Sequence, residues 1–352
     1  MNRFEYLRPA TVAEAVAAGS QPGSAFLGAG TNLLDLMKCD VMRPDRLVDV
    51  TRLPGLDRID VQPDGGARIG ALVKNSDLAY DPAFSRLFPA VAEALLSGAS
   101  AQLRNAATVA GNVMQRTRCP YFFDTASACN KREPGSGCDA LAGENHGHAV
   151  LGWSEHCIAT NPSDFCVPLA ALEAAVEIAG PAGSRTVPLE AFHRLPGNEP
   201  QRDTVLDPGE LITAVLLPSD ASRFAAHSRY LKIRERTSYA FALVSAAAAL
   251  RLENGRIAEA RIALGGVALK PWRSRDAEHA LVGTAGSLAD FARAAEVALT
   301  DARPSGDNAH KIELARRVVA RALALAARGT PSRMPALPAS LFAQTEGPAV
   351  HA

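Results

Sequence analysis

Four of the six cysteines fall in one stretch: Cys119, Cys129, Cys138 and Cys157, with nine, eight and eighteen residues between them. Four thiolates can hold a single zinc ion or a cubane [4Fe–4S] cluster. No pair has the two-residue spacing common in zinc ribbons and bacterial ferredoxins, so the spacing leaves both open. Disulfides are a third reading and would need an oxidising compartment. The surrounding residues add the stronger argument. Between 113 and 160 hydrophobic periodicity is lost, and Gly, Pro, Asn and Asp are frequent. So long a stretch cannot fold by apolar burial and calls for a cross-link. Cys39, after Leu33, Leu34, Leu36 and Met37, reads as a small core residue, as does Cys166 in Phe165-Cys166-Val167. Cys166 is also an alternative to Cys157 as fourth ligand. His146, His148 and His156 share the loop and read as solvent-facing.

A second chemistry lies in short glycine-bearing turns. Gly28-Ala29-Gly30-Thr31-Asn32 follows the strand-like Ala25-Phe26-Leu27 and opens a helical run from Leu33 to Lys38. Small residues let backbone N–H groups approach a phosphate closely. The third glycine of the dinucleotide fingerprint is missing, so alone the turn is equally a plain strand–helix connection. A second segment, Ser100 to Asn112, pairs polar donors with small residues. A third, Asn161-Pro162-Ser163-Asp164, directly follows the cysteine stretch. Asp164 either accepts from a ribose or ribityl hydroxyl or caps the next helix. No acid–base dyad is evident, so no catalytic residue is assigned.

The elements that must position these groups alternate at first between helix and strand. Thr11 to Val16 opens with a capping box through Glu14. Strands are expected at 46–50 and 67–73, with Pro63-Asp64-Gly65-Gly66 as a hairpin turn, and helices at 75–80 and 90–96. After the cysteine stretch, helix and strand resume at 168–177, and 181–184 turns into 185–187. Beyond a boundary near 218–225, residues 228–233, 242–252 and 257–264 read as an antiparallel meander turned at Glu253-Asn254-Gly255. Helices follow at 288–301 and 308–328, the second ended by Gly329.

The bulk numbers exclude several classes. Lysine plus arginine and aspartate plus glutamate both number 37, giving a formal charge of zero and no field to hold a nucleic acid. With 47% hydrophobic and 21% charged residues the composition is globular. No apolar run of about 18 residues exists to span a membrane, and the opening residues encode no secretory signal.

The three loop segments together resemble the FAD-binding subunits and domains of the xanthine oxidase (molybdenum hydroxylase) family, and the resemblance covers nearly the whole chain. It implies an α+β fold. A two-subdomain FAD-binding fold of the vanillyl-alcohol-oxidase (PCMH) type would occupy 1–222, with a cysteine-rich insertion at about 113–160. A small C-terminal α+β domain with an antiparallel sheet would occupy 226–330, and an extended tail 331–352. Phe26, Leu27, Gly28, Ala29, Gly30, Thr31, Asn32 and Leu33 match the first diphosphate loop. The second runs from Leu103-Arg104-Asn105 to Ala110-Gly111-Asn112, and implicates Arg104, Ala107, Thr108, Ala110, Gly111 and Asn112. Ala110 stands where relatives carry glycine. Asp164 joins them, and Asp207 to Ile212, with Glu210, Leu211 and Ile212, matches the segment along the flavin ring. Lys232, in Tyr230-Leu231-Lys232-Ile233-Arg234, matches a lysine near the isoalloxazine that would stabilise anionic reduced flavin; the plain alternative is a surface lysine. Ala263 to Val267, Lys270 to Arg273 and Glu278 match the C-terminal domain.

In most relatives the second loop is followed almost at once by the segment that here is Asn161 to Asp164. The interposed cysteines make the layout similar to cluster-bearing flavin subunits of periplasmic aldehyde oxidoreductase and, less closely, of 4-hydroxybenzoyl-CoA reductase. This implies a [4Fe–4S] cluster on Cys119, Cys129, Cys138 and Cys157. The expected partners are a molybdopterin-binding large subunit, a [2Fe–2S] small subunit and an external electron acceptor. The expected place is the periplasm, reached through a partner's signal, with the cytoplasm as alternative. A free-standing NAD(P)H flavin reductase and a zinc-stapled assembly module without activity stay open as other functions.

Overall fold

The computed structural model describes residues 1–331, so nearly all of the expected tail lies outside the described residues. Three sheets organise the described residues. Strands β1 (Glu5–Leu7), β2 (Ser24–Leu27) and β3 (Arg46–Asp49) form a parallel sheet in the order β1-β3-β2. Between β1 and β2 runs the helix Val12–Gly19. Its Thr11 side chain accepts from Glu14 N as the expected capping box requires, but the Glu14 carboxylate accepts from Ala10 N, one residue before the cap, so only half of the box forms. Ala15 and Val16 of this helix pack with Val48 and Val50. At the end of β3, Asp49 is buried and accepts from Tyr6 Oη, Arg8 Nε and Thr51, tying the sheet to the segment that precedes it. The chain leaves β2 through the first glycine turn into the helix Leu33–Lys38, which buries Leu36 and Met37.

Strands β4 (Ile59–Val61), β5 (Ala67–Gly70), β6 (Ala175–Gly180), β7 (Gly183–Pro188) and β8 (Leu211–Leu217) form an antiparallel sheet in the order β4-β5-β8-β6-β7. The turn at 63–66 joins β4 to β5, so the arm opposite β5 is residues 59–61, and β3 belongs to the other sheet. Helices Asn75–Tyr80, Pro82–Leu87, Pro89–Ser97 and Cys166–Ala171 supply the main core, with Phe84, Phe88, Phe165 and Phe192 fully buried.

Strands β9 (Ser228–Ile233), β10 (Val244–Glu253), β11 (Arg256–Gly265) and β12 (Trp272–Arg273) form the expected antiparallel meander, in the order β12-β11-β10-β9. Asn254 and Gly255 both have positive φ, 50° and 73°, as a two-residue hairpin turn of the twisted kind requires. The alanine run of β10 has a clear physical role. Ala247 and Ala249 pack into the main core, whereas Ala246, Ala248 and Leu250 face the C-terminal core. A strand buried on both faces loses polar alternation, and small side chains let both layers approach. Helices Arg275–Leu281, Leu288–Ala298 and His310–Ala327 cover the outer face. The first is not legible in the hydrophobic pattern because it spans only two turns.

The cysteine-bearing insertion carries only a short helix, Pro120–Phe123, and a 3-10 turn, Asp139–Leu141. Hydrogen bonds bolt it to the C-terminal domain. Lys311 Nζ donates to the carbonyls of Gly147, His148 and Gly266 at 2.6–2.8 Å, matching all three ammonium donors. Asn308 Nδ2 donates to the carbonyls of His148 and Ala149, and Val150 N and Leu151 N donate to Val267 O.

Candidate functional site

The first glycine turn, the second loop and the segment before β8 meet at one cleft of about 520 Å³, within the usual range for a cofactor site. Phe26, Gly28, Ala29, Gly30, Thr31, Asn32 and Leu33 line it from one side, and Thr108, Ala110 and Gly111 from another. Glu210, Leu211 and Ile212 line it as well. The backbone is close-set because the residues are small. A Cβ on Gly28 would stand 3.2 Å from Thr108 Oγ1, and one on Gly111 would stand 3.0 Å from the same oxygen. Gly30 has φ 74°, a conformation in which L side chains are strained.

Six residues singled out by sequence lie outside this lining. Leu27 closes β2, with its tip near Gly30. Arg104 is buried, donates to Gly98 O at 2.6 Å, and has its pKa lowered by burial. Ala107 O accepts from Asn75 N, which pins the second loop to the helix Asn75–Tyr80. Asn112 Oδ1 accepts from Ser163 Oγ at 2.8 Å, so the second and third segments do meet. Asp164 accepts from Tyr230 Oη at 2.5 Å and Lys232 Nζ at 2.7 Å, and Lys232 also donates to Ser97 O. Both members of that ion pair are buried. Burial, and then the Asp164 charge, push the Tyr230 phenol well above its ordinary value. Ser163 Oγ, and not Asp164, accepts from Cys166 N at the start of the next helix.

The cleft also contains residues with no local sequence signal: Arg116, Thr117, His193, Gln201, Asp203 and Leu269. Three buried polar atoms on its lining residues have no partner: Asn32 Nδ2, His193 Nδ1 and Gln201 Oε1. Buried polar atoms are normally satisfied, so these orphans fit a polar ligand such as FAD. Asp203 accepts from Arg116 Nε at 2.7 Å and from the buried Lys131 Nζ at 2.5 Å. Burial pushes its carboxyl up, but Lys131 and Arg116 outweigh this and hold it low.

A second, much smaller cavity lies beside the first, and Cys119, Cys129, Cys138 and Cys157 all line it. Cys129 and Cys138 face each other across a bridge, with Gly135 and Gly137 at positive φ in the loop between them. Cys157 sits in a turn closed by Ser154, and Cys119 precedes the helix Pro120–Phe123. Burial pushes the Cys119 thiol up to about 12 and the Cys157 thiol to about 11. Among the described residues, no group of three or more His, Cys, Asp or Glu side chains converges where one metal ion could sit. All four thiols nevertheless line the one small cavity.

Thr117 lines both cavities. Leu36 and Leu269, which line the cleft, pack against Cys129 and against Cys119 and Cys157 respectively. Cys166 lies instead in the main core, fully buried. Two expectations are corrected here. Cys39 is exposed at the end of its helix, because Leu36 and Met37 take the buried face. His148 is buried, with Nε2 3.2 Å from Cys119 Sγ, because the C-terminal domain covers it; burial, and then Lys311, lower its pKa to about 4. His146 and His156 are exposed, as expected.

Residues 2–220 match the family described as the FAD binding domain in molybdopterin dehydrogenase, and residues 229–326 the CO dehydrogenase flavoprotein C-terminal domain. The chain is 48% identical to the aldehyde oxidoreductase FAD-binding subunit PaoB of Escherichia coli, over 92% of this chain and 98% of that one. It is 28% identical to the carbon monoxide dehydrogenase medium chain of Hydrogenophaga pseudoflava, over 91% and 96% of the two chains. A solved carbon monoxide dehydrogenase structure from that organism matches with a TM-score of 0.72, covering 94% of this chain and 99% of that one at 28% identity. Quinoline 2-oxidoreductase from Pseudomonas putida 86 matches with a TM-score of 0.71 at 26% identity, over 93% and 98%.

Proposed function

This chain belongs to the FAD-binding subunits of the molybdenum hydroxylase family, and on that premise we propose that it carries both FAD and a [4Fe–4S] cluster in a molybdenum-dependent aldehyde oxidoreductase. One observation carries the two-cofactor reading: the cysteine-lined cavity and the cleft share Thr117 as a common wall. Carriers bound in two cavities that share a wall residue would be near neighbours. Bound FAD supplies the redox chemistry that couples one-electron carriers to an external acceptor, and a cluster supplies a one-electron step.

The chain's own residues bind and orient. Gly28 to Leu33, with Thr108, Ala110 and Gly111, would cradle the diphosphate, because Gly28, Gly30 and Gly111 have no Cβ to hold a ligand off the backbone. Glu210 to Ile212 would flank the ring. Cys119, Cys129, Cys138 and Cys157 would hold the cluster. Ligation would also offset the entropy of ordering a segment with little regular secondary structure.

The assembly we propose adds a molybdopterin-binding large subunit, where an aldehyde is oxidised, and a [2Fe–2S] small subunit that relays electrons to this chain. The identity to an aldehyde oxidoreductase subunit supports this substrate class over that of a 4-hydroxybenzoyl-CoA reductase-like enzyme. No helix among the described residues is long and apolar enough to cross a membrane. We place the complex in the periplasm, carried by a partner's signal.

Absorption spectroscopy with metal analysis of the purified protein tests the reading. Flavin bands over a broad brown shoulder, with four irons per chain, are expected. A yellow protein without iron would favour a simple flavin reductase, and a colourless protein containing zinc an assembly module; either overturns the proposal.

A further inference from the structure

We propose that His148 is a positioning residue that donates from Nε2 to the Cys119 sulfur and raises the reduction potential of the cluster; this rests on the cluster reading above. Its Nε2 stands 3.2 Å from Cys119 Sγ, and the ring is buried. A ligating thiolate has only lone pairs to offer, so the nitrogen must be the donor. Among the described residues no other partner competes for the ring, since Nδ1 makes no hydrogen bond. Burying an imidazole with a single contact is unfavourable unless that contact is strong, and a hydrogen bond to a charged sulfur is of the strong class.

The backbone around His148 is built to hold the ring there. Its N donates to Asn145 O at 2.9 Å, and its carbonyl accepts from Asn308 Nδ2 at 3.1 Å and Lys311 Nζ at 2.8 Å. Asn308 and Lys311 are themselves fully buried in the C-terminal domain. That domain therefore fixes the imidazole against the ligand whose chain runs directly into Thr117. Hydrogen bonds to cluster sulfurs stabilise the more electron-rich state and so raise its potential.

The test is a redox titration of the complete complex, followed by electron paramagnetic resonance, with iron and flavin content measured in parallel. His148→Phe is expected to keep both contents and to lower the cluster potential by about tenfold in the one-electron equilibrium constant, about 59 mV. His148→Gln, which keeps a donor, should recover part of the shift. An unchanged potential in a loaded His148→Phe complex overturns the proposal. If His148→Phe loses iron, the wild-type complex decides. With 15N-labelled histidine, the reduced cluster should couple to a nitrogen whose signal disappears in His148→Gln, and a spectrum without that coupling overturns the proposal. Wild-type protein lacking iron altogether refutes the cluster reading itself, which is a separate outcome.

Discussion

Gly28 and Thr108, eighty positions apart, stand so close that a Cβ on the glycine would lie 3.2 Å from the threonine hydroxyl. Two turns that are unremarkable separately thus become two sides of one cleft. Filling that gap should expel the ligand. Gly28→Val is expected to weaken FAD binding at least tenfold, about 1.4 kcal/mol, with the fold intact. Fluorescence titration of flavin into stripped protein reads the affinity directly. Wild-type affinity in this variant would show that the diphosphate lies elsewhere.

The cysteine cavity predicts opposite fates for two thiols only nine positions apart. Cys157→Ser and Cys129→Ser should lose most of the iron and become open to protease between 113 and 160, since the segment's order depends on ligation. Cys166→Ser, altering a side chain in the main core, should keep its iron at some cost in stability. Iron retained in Cys157→Ser and lost in Cys166→Ser would exchange their roles.

Acid should loosen the N-terminal sheet through Asp49. Burial raises its pKa, but hydrogen bonds from Thr51, Tyr6 and Arg8 outweigh this and bring it to about 2, against an ordinary 3.8. A carboxyl whose folded pKa is depressed stabilises the fold above its unfolded pKa, and that stability is lost as pH falls from about 4 to about 2. The shift corresponds to about 2 kcal/mol. Denaturant melts at pH 7 and pH 2.5 should show Asp49→Asn less stable by about that amount at neutral pH, with the gap closing in acid. A gap independent of pH would show that packing, not charge, is what Asp49 supplies.

The buried pair of Lys232 and Asp164 should behave as a unit. Removing one partner strands a charge, so Lys232→Met is expected to cost about 3–5 kcal/mol. The Lys232→Met, Asp164→Asn double variant should recover part of that loss. A double-mutant cycle by chemical denaturation measures the coupling, and additive losses would deny it. Because Lys232 lies outside the cleft lining, flavin content should hold in the folded variant; an altered flavin potential would instead place its charge at the ring.

The amino-acid order alone determined what depends on neighbours along the chain. The helix cap at Thr11, the positive-φ turn at Asn254-Gly255, the three meander strands and the glycine turn after β2 all follow from local backbone preference and periodicity. The loss of periodicity from 113 to 160 also marked out the segment that supplies the four cavity-lining cysteines. Short elements such as Arg275–Leu281 and β1 left too little pattern to see. Tertiary structure decided which distant groups meet. It separated Cys157 from Cys166, set Lys232 against Asp164, buried His148 beneath Asn308 and Lys311, and made Thr117 the wall between two cavities. Spacing carries no record of these meetings, because they arise when β10 is buried on both faces and draws the C-terminal domain over the insertion.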